Sequence, residues 1–200
     1  RRLGDAELHP LGDHGATVND ITWVFHAGDG RGRVLRFLVE RYTHDLEPLL
    51  PRVESDDPLA RLDAELGAEM ICDETIAETP GLRRFFPAAL HDAGEAEEFR
   101  RHAIAGQVQN RLEAARKVLA ALEDDDRSRV VVPGRDIDSW VSVLAALRAQ
   151  WHVELTGSAE RLVEPTREDV ENAPETAAIL DWLALLIEDA LHAKWRGEGR

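Results

Sequence analysis

The chain has one cysteine, Cys72, and so cannot close a disulfide within itself. That suits a reducing compartment, where thiols stay free, and a cytoplasmic location is expected. It also excludes an intramolecular thiol switch: oxidation of Cys72 can yield only a mixed or intermolecular disulfide or a sulfur oxyacid. Cys72 is thus the one possible redox position. Its neighbours Glu69, Asp73 and Glu74 disfavour the thiolate, and the residue reads as inert rather than reactive.

Long apolar runs are absent, so no membrane span is expected. Arg1-Arg2-Leu3-Gly4-Asp5 has no apolar run behind it, and a secretory signal is not expected there. Basic charge is in short supply. Lys and Arg together number 24 against 39 Asp and Glu, for a formal net charge of −15. A chain so acidic is repelled by phosphate backbones, which argues against direct nucleic-acid binding and for a basic protein partner. The arginines that do cluster, Arg31, Arg33 and Arg36, Arg83-Arg84 and Arg100-Arg101, read as helix-surface residues paired with nearby acids.

Constellations that carry chemistry are missing as well. None of the eight histidines stands in a His-Glu-x-x-His arrangement, and His91 and His102, eleven apart, share a helix face only if the helix extends back through Gly94. Ser139, Ser142 and Ser158 lack the context of a nucleophile elbow. Gly28-Asp29-Gly30-Arg31-Gly32 follows a strand-like segment, but its spacing is not that of a dinucleotide loop and Asp29 would repel phosphate, so it reads as a turn. The carboxylates are too many for a catalytic pair to stand out. No catalytic, cofactor-binding or metal-binding residue is assigned.

What the chain does have is helical periodicity. With 44% hydrophobic and 32% charged residues it can bury a core, and its length suits one domain. Thr17, Val18 and Ile21 to Phe25 favour a strand, with Leu3 to Leu11 as its expected hairpin partner. A helix follows from about Arg33 to Glu47, with Leu35, Leu38, Tyr42 and Leu46 on one face. Ser55-Asp56-Asp57-Pro58 opens a short helix. Thr79 to Pro87 forms another. The longest runs from about Glu95 to Glu123, with Phe99, Ala103, Val108, Leu112, Ala115, Leu119 and Leu122 in a stripe. Arg129 to Val132 is a short strand, and Pro133-Gly134 turns into a helix holding Trp140, Leu144, Leu147, Trp151 and Leu155. Gly157 to Pro174 is polar and reads as a loop. The last helix, about Pro174 to Lys194, is apolar on nearly every side and should be packed on several. Core anchors are therefore Trp140, Leu144, Leu147, Trp151, Trp182, Leu183 and Leu186. Arg148 interrupts its apolar stripe, and a polar network with Asp181 or Glu188 is expected.

These readings give an α+β domain, mainly helical, with a small antiparallel sheet from N-terminal strands, which Arg129 to Val132 is a candidate to join. It spans residues 1–200, with a hairpin at about 1–27 and a helical body at about 31–195.

From Gly81 onward the order of signals resembles the actinobacterial oxidative-stress regulator family AosR. Leu82-Arg83-Arg84-Phe85-Phe86-Pro87 is similar to its leucine-arginine segment, and Phe99-Arg100-Arg101 and a long helix follow. Trp140-Val141-x-x-Leu144-x-x-Leu147-Arg148 and Asp181-Trp182-Leu183-x-x-Leu186-x-Glu188 are similar to its two tryptophan signatures. Ala145-Ala146 stand where the family usually has Asn-Asp, and Ile187 where it often has glutamine. The resemblance implies a non-enzymatic regulatory protein in transcriptional or oxidative-stress control, acting with a sigma factor. The family's cysteine pair is missing here, which removes disulfide sensing. A second implication is an adaptor or accessory factor for Clp-type regulated proteolysis. A small enzyme with carboxylate catalysts is the third reading.

Overall fold

The computed structural model describes residues 22–50, 57, 59, 75–86, 95–123, 128–159 and 163–198, with side chains in the long central helix described from Ile104. Cys72, His91, the expected Leu3–Leu11 strand and all but Asp57 of the Ser55–Pro58 helix start lie outside those residues.

The protein is mainly helical, with one two-stranded antiparallel sheet. Strand β1 (Thr22–His26) pairs with β2 (Arg129–Pro133), from Thr22 opposite Pro133 to His26 opposite Arg129. Among the described residues β1's partner is thus this distant strand. The alternation of both strands turns Trp23, Phe25, Val130 and Val132 inward. Val131 points the other way and is exposed.

The glycine-rich segment after β1 is a turn, as its composition implies. Asp29 and Gly30 both take positive φ, at 57° and 79°, which reverses the chain into α1 (Arg31–Leu46). Leu35, Leu38, Val39, Tyr42 and Leu46 give α1 its buried face. A 3₁₀ turn (Glu47–Leu49) ends it at Pro48. Helix α2 (Pro80–Phe85) starts on Pro80 and buries Gly81 and Leu82, with Phe86 buried just beyond it. Phe85 meets Tyr42 edge-on at 6.0 Å, and the Arg111 guanidinium lies 4.6 Å over the Phe85 ring. Burial raises the Tyr42 pKa above its ordinary 10.0, partly opposed by the positive charge of Arg111. Its phenol therefore adds stability that is present below pH 10 and is lost as pH rises through the higher folded value.

Helix α3 (Glu95–Ala121) buries Ile104, Val108, Leu112, Ala115 and Val118, followed by Leu122. Val118 takes the inward place expected of Leu119, which is half-buried, because the helical turn carries position 119 off the stripe. Helix α4 (Gly134–Thr156) is the hub. It packs on α1, α2, α3, both strands and the last helix, and buries residues on two faces, from Ile137 and Trp140 to Val153 and Leu155.

The segment from Gly157 to Pro174 is not all loop. It contains α5 (Arg167–Asn172), held by a capping box in which the Thr166 hydroxyl accepts from the Asp169 backbone N–H and the Asp169 carboxylate accepts from the Thr166 N–H. These hydrogen bonds lower the Asp169 pKa from its ordinary 3.8. A depressed carboxyl stabilises the cap above its unfolded pKa, and that contribution is lost as pH falls through the lower folded value. Carboxyl carbon NMR should find Asp169 titrating below the exposed aspartates, with α5 amide exchange rising in the same acid range. A titration at the ordinary position would refute the cap.

The last helix, α6 (Pro174–Glu198), lies against α4 as an antiparallel partner, with Lys194 near its end bonded to Asp138 near the start of α4 at 2.7 Å. Leu180, Leu183, Ala190 and Ala193 are buried against α4 and β1. Under the sheet, Trp140 meets Trp23 edge-on at 5.5 Å and Phe25 at 5.8 Å, while Trp182 stands 6.5 Å from Phe25. The Trp23 indole N–H donates to Asp189 of α6 at 2.9 Å.

Candidate functional site

Helix α6 is more apolar than its surroundings require. Packing on several sides is expected, and α4, β1 and α5 all meet it, yet one face stays open. Leu185 is left 63% exposed and Trp195 61% exposed. Asp181, Leu185, Glu188, His192 and Trp195 follow one another at intervals of four and three residues and are all exposed, so they form a single outward stripe. The His192 and Trp195 rings sit 6.0 Å apart at its end. A lone surface leucine needs no explanation, but two large apolar side chains on one face between acids are what a partner surface looks like.

Along this stripe, the seam between α4 and α6 opens into a groove of about 480 Å³ whose lining includes Ala184, Ile187, Leu191 and Trp195, with Arg148 and Glu188 on its sides. Arg148 and Ile187 also border a larger cleft of about 720 Å³, so the two openings adjoin. The cleft runs between Arg84 of α2, the outer side of α4, residues 163–165 and α6. Ala145, Ala149 and Ala177 keep its walls low. Ala145 is one of the two positions where the chain departs from the Asn-Asp of the family it resembles.

The expected anchors divide. Trp140, Leu144, Leu147 and Leu183 are at most 1% exposed and sit in one core. Trp151, Trp182 and Leu186 are half-buried at its margin. The Trp151 ring lies 5.4 Å from the Arg41 guanidinium, which also pairs with Glu154. The expected network of Arg148 with Asp181 or Glu188 does not form. Among the described residues no carboxylate lies within ion-pair distance of Arg148. Its side chain is exposed, as are both acids, and each stays hydrated where it borders the cleft or the groove. Also among the described residues, no three His, Cys, Asp or Glu side chains converge as a metal site would need, and no helix is long and apolar enough to cross a membrane. The cleft, the groove and the exposed stripe could not be read from one helix at a time, although the excess apolarity of α6 was a visible signal.

A family model described as Domain of unknown function (DUF2017) matches residues 22–194. No curated protein and no solved structure matches the chain.

Proposed function

The chain belongs to the DUF2017 family, and from that starting point we propose that it is a non-enzymatic regulatory protein that works through protein contacts made by the α6 stripe and the groove beside it. The observation that carries this reading is the exposure of Leu185 and Trp195 on a helix otherwise packed by its apolar residues. The net charge of −15 and the exposed Asp181 and Glu188 beside those anchors favour a partner with a basic surface. The finer reading is transcriptional or oxidative-stress control of the AosR kind, with a sigma factor as partner. It draws on the resemblance of Leu82–Pro87, Trp140–Arg148 and Asp181–Glu188. Within those motifs Leu82, Trp140, Leu144, Leu147 and Leu183 serve the core, whereas Asp181 and Glu188 contribute nothing to it and are exposed. Acids that the core does not need are available for recognition. The second reading, an adaptor for Clp-type proteolysis, uses the same surface with a different partner. Either role places the protein in the cytoplasm.

Co-purification from native cells separates the two. The wild-type chain should retain a basic transcription component, and the Leu185→Asp, Trp195→Asp double variant should lose it while melting normally. Central apolar anchors of an interface each contribute about 2 kcal/mol or more, so the double variant should weaken binding by about a thousandfold. The association rate should fall as salt rises. Retention of protease components instead selects the second reading. An unchanged retained set in the double variant removes the stripe from consideration. The purified protein alone is expected to give no gel shift with duplex DNA near 0.15 M salt, where the Debye length is about 8 Å.

A further inference from the structure

We infer that the cleft between α2, α4 and α6 is a binding site for a small molecule with an apolar body and a single carboxylate, anchored by Arg84. The inference does not depend on the docking surface described above. A volume of about 720 Å³ suits a small ligand. Most of the lining is apolar, with Leu155, Val170, Leu180 and Ile187 offering surface to a hydrocarbon body.

The polar groups are few and unevenly buried. Glu164, Asp181 and Arg148 are exposed, so the outer lining carries charges of both signs in water. Arg84 and His152 are half-buried. The His152 ring is fixed by its Nε2, which lies 2.8 Å from the Val163 carbonyl oxygen. A carbonyl can only accept, so Nε2 carries the proton and the tautomer is set.

Arg84 is the informative residue. Three described arginines are half-buried: Arg36, Arg84 and Arg111. Arg36 pairs with Glu40 at 2.9 Å, and Arg111 donates to Tyr42 and stacks on Phe85. Arg84 alone of these has no acidic or aromatic partner among the described residues. No buried side-chain nitrogen or oxygen among the described residues lacks a hydrogen bond, so the Arg84 guanidinium keeps access to solvent, and Arg84 is one of the residues that line the cleft. A half-buried arginine that borders a mostly apolar cleft is matched by a carboxylate, which a guanidinium can hold through two parallel hydrogen bonds. In a chain with more acids than bases, an unpaired cation at such a position is a ligand anchor.

Calorimetric titration with octanoate, octylamine and octanol tests head group and body separately. Octanoate should bind the wild-type protein at one site, and the other two at least about tenfold more weakly. Arg84→Gln should weaken octanoate by about ten- to hundredfold, bringing it to the level of octanol. Arg84→Lys should keep part of the preference for octanoate, because the charge remains while the paired geometry is lost. Ala145→Leu fills the cleft from the exposed side of α4 and should abolish binding of all three without changing the melting temperature. It also keeps the test decisive if an Arg84 variant folds poorly. Octylamine binding as tightly as octanoate, unchanged octanoate affinity in Arg84→Gln or in Ala145→Leu, or no octanoate binding tighter than about 1 mM would each overturn the inference. Leu185 and Trp195 do not line this cleft, so the docking variants leave its affinity unchanged and the two readings fail separately.

Discussion

Trp140→Ala is expected to lower unfolding stability by about 3–5 kcal/mol, the usual cost of deleting a large buried aromatic side chain. The ring is 1% exposed and packs from α4 against Trp23 and Phe25 of the sheet. It meets Trp23 edge-on with ring planes at 82°, an arrangement favoured by the opposed charge of ring edge and ring face. Its removal would take from Trp23 and Phe25 the ring that both of them meet. Trp23 is also tied to Asp189 through its indole N–H, which limits how far it can move to fill the gap. A domain of this kind is stable by about 5–15 kcal/mol, so the variant would lose a large share of the total. Urea unfolding should give a lower midpoint at an unchanged slope. Trp182→Ala serves as the comparison. Trp182 is half-buried and reaches Phe25 only at the margin, so its loss should cost less than that of Trp140. Equal or reversed costs would mean that the aromatic cluster is centred on α6 rather than on α4.

That contrast marks how much the sequence disclosed. The helical stripe through Trp140, Leu144 and Leu147 was legible because helical spacing places those residues on one face whatever surrounds them. Trp182 sits in an equally apolar stretch, and no periodicity distinguishes which part of such a stretch meets the core. The deciding factor is how many neighbours α6 has, and that is a property of the tertiary arrangement. The same holds for the sheet. Val130 and Val132 announce a strand that can join the N-terminal sheet, but β1 lies more than a hundred residues earlier, and the register of a pairing at that distance leaves no local trace. Helix α5 is hidden from periodicity for a different reason. Its polar surface has no buried face to generate a period, while Thr166 and Asp169 already spelled its cap. Of the candidate sites, the α6 stripe was half visible as surplus apolarity. The cleft was not visible at all, because Arg84, Ala145 and Leu180 come from three separate helices.

The position of α2, and with it that of Arg84, depends on a glycine. Gly81 is buried where α2 meets α4, and a Cβ built on it would stand 2.8 Å from Cγ of Gln150 and 3.5 Å from its Cδ and Nε2. Gln150 cannot yield easily. It is 7% exposed, and its Nε2 donates to Asp45 of α1 at 2.6 Å. A methyl group at position 81 must therefore break that hydrogen bond or push α2 outward. Overpacking of this kind costs about 1–3 kcal/mol, and a lost partner for a buried amide adds about 1 kcal/mol. Alanine's better helix propensity and the reduced freedom of the unfolded chain return about 1 kcal/mol. Gly81→Ala should thus destabilise by about 1–3 kcal/mol net. The cause can be isolated by a double-mutant cycle with Gln150→Ala, which removes the atoms that the new methyl meets. Contacting residues couple by about 0.5–3 kcal/mol, so the pair should cost less than the sum of the two single changes by that amount. Strict additivity would mean that α2 is not held by this contact. Because Arg84 lies three residues along the same short helix, an outward shift of α2 would also move its guanidinium relative to the wall formed by α4. Gly81→Ala should then weaken octanoate binding although position 81 does not line the cleft, and the Gln150→Ala partner change should restore part of that affinity together with the stability.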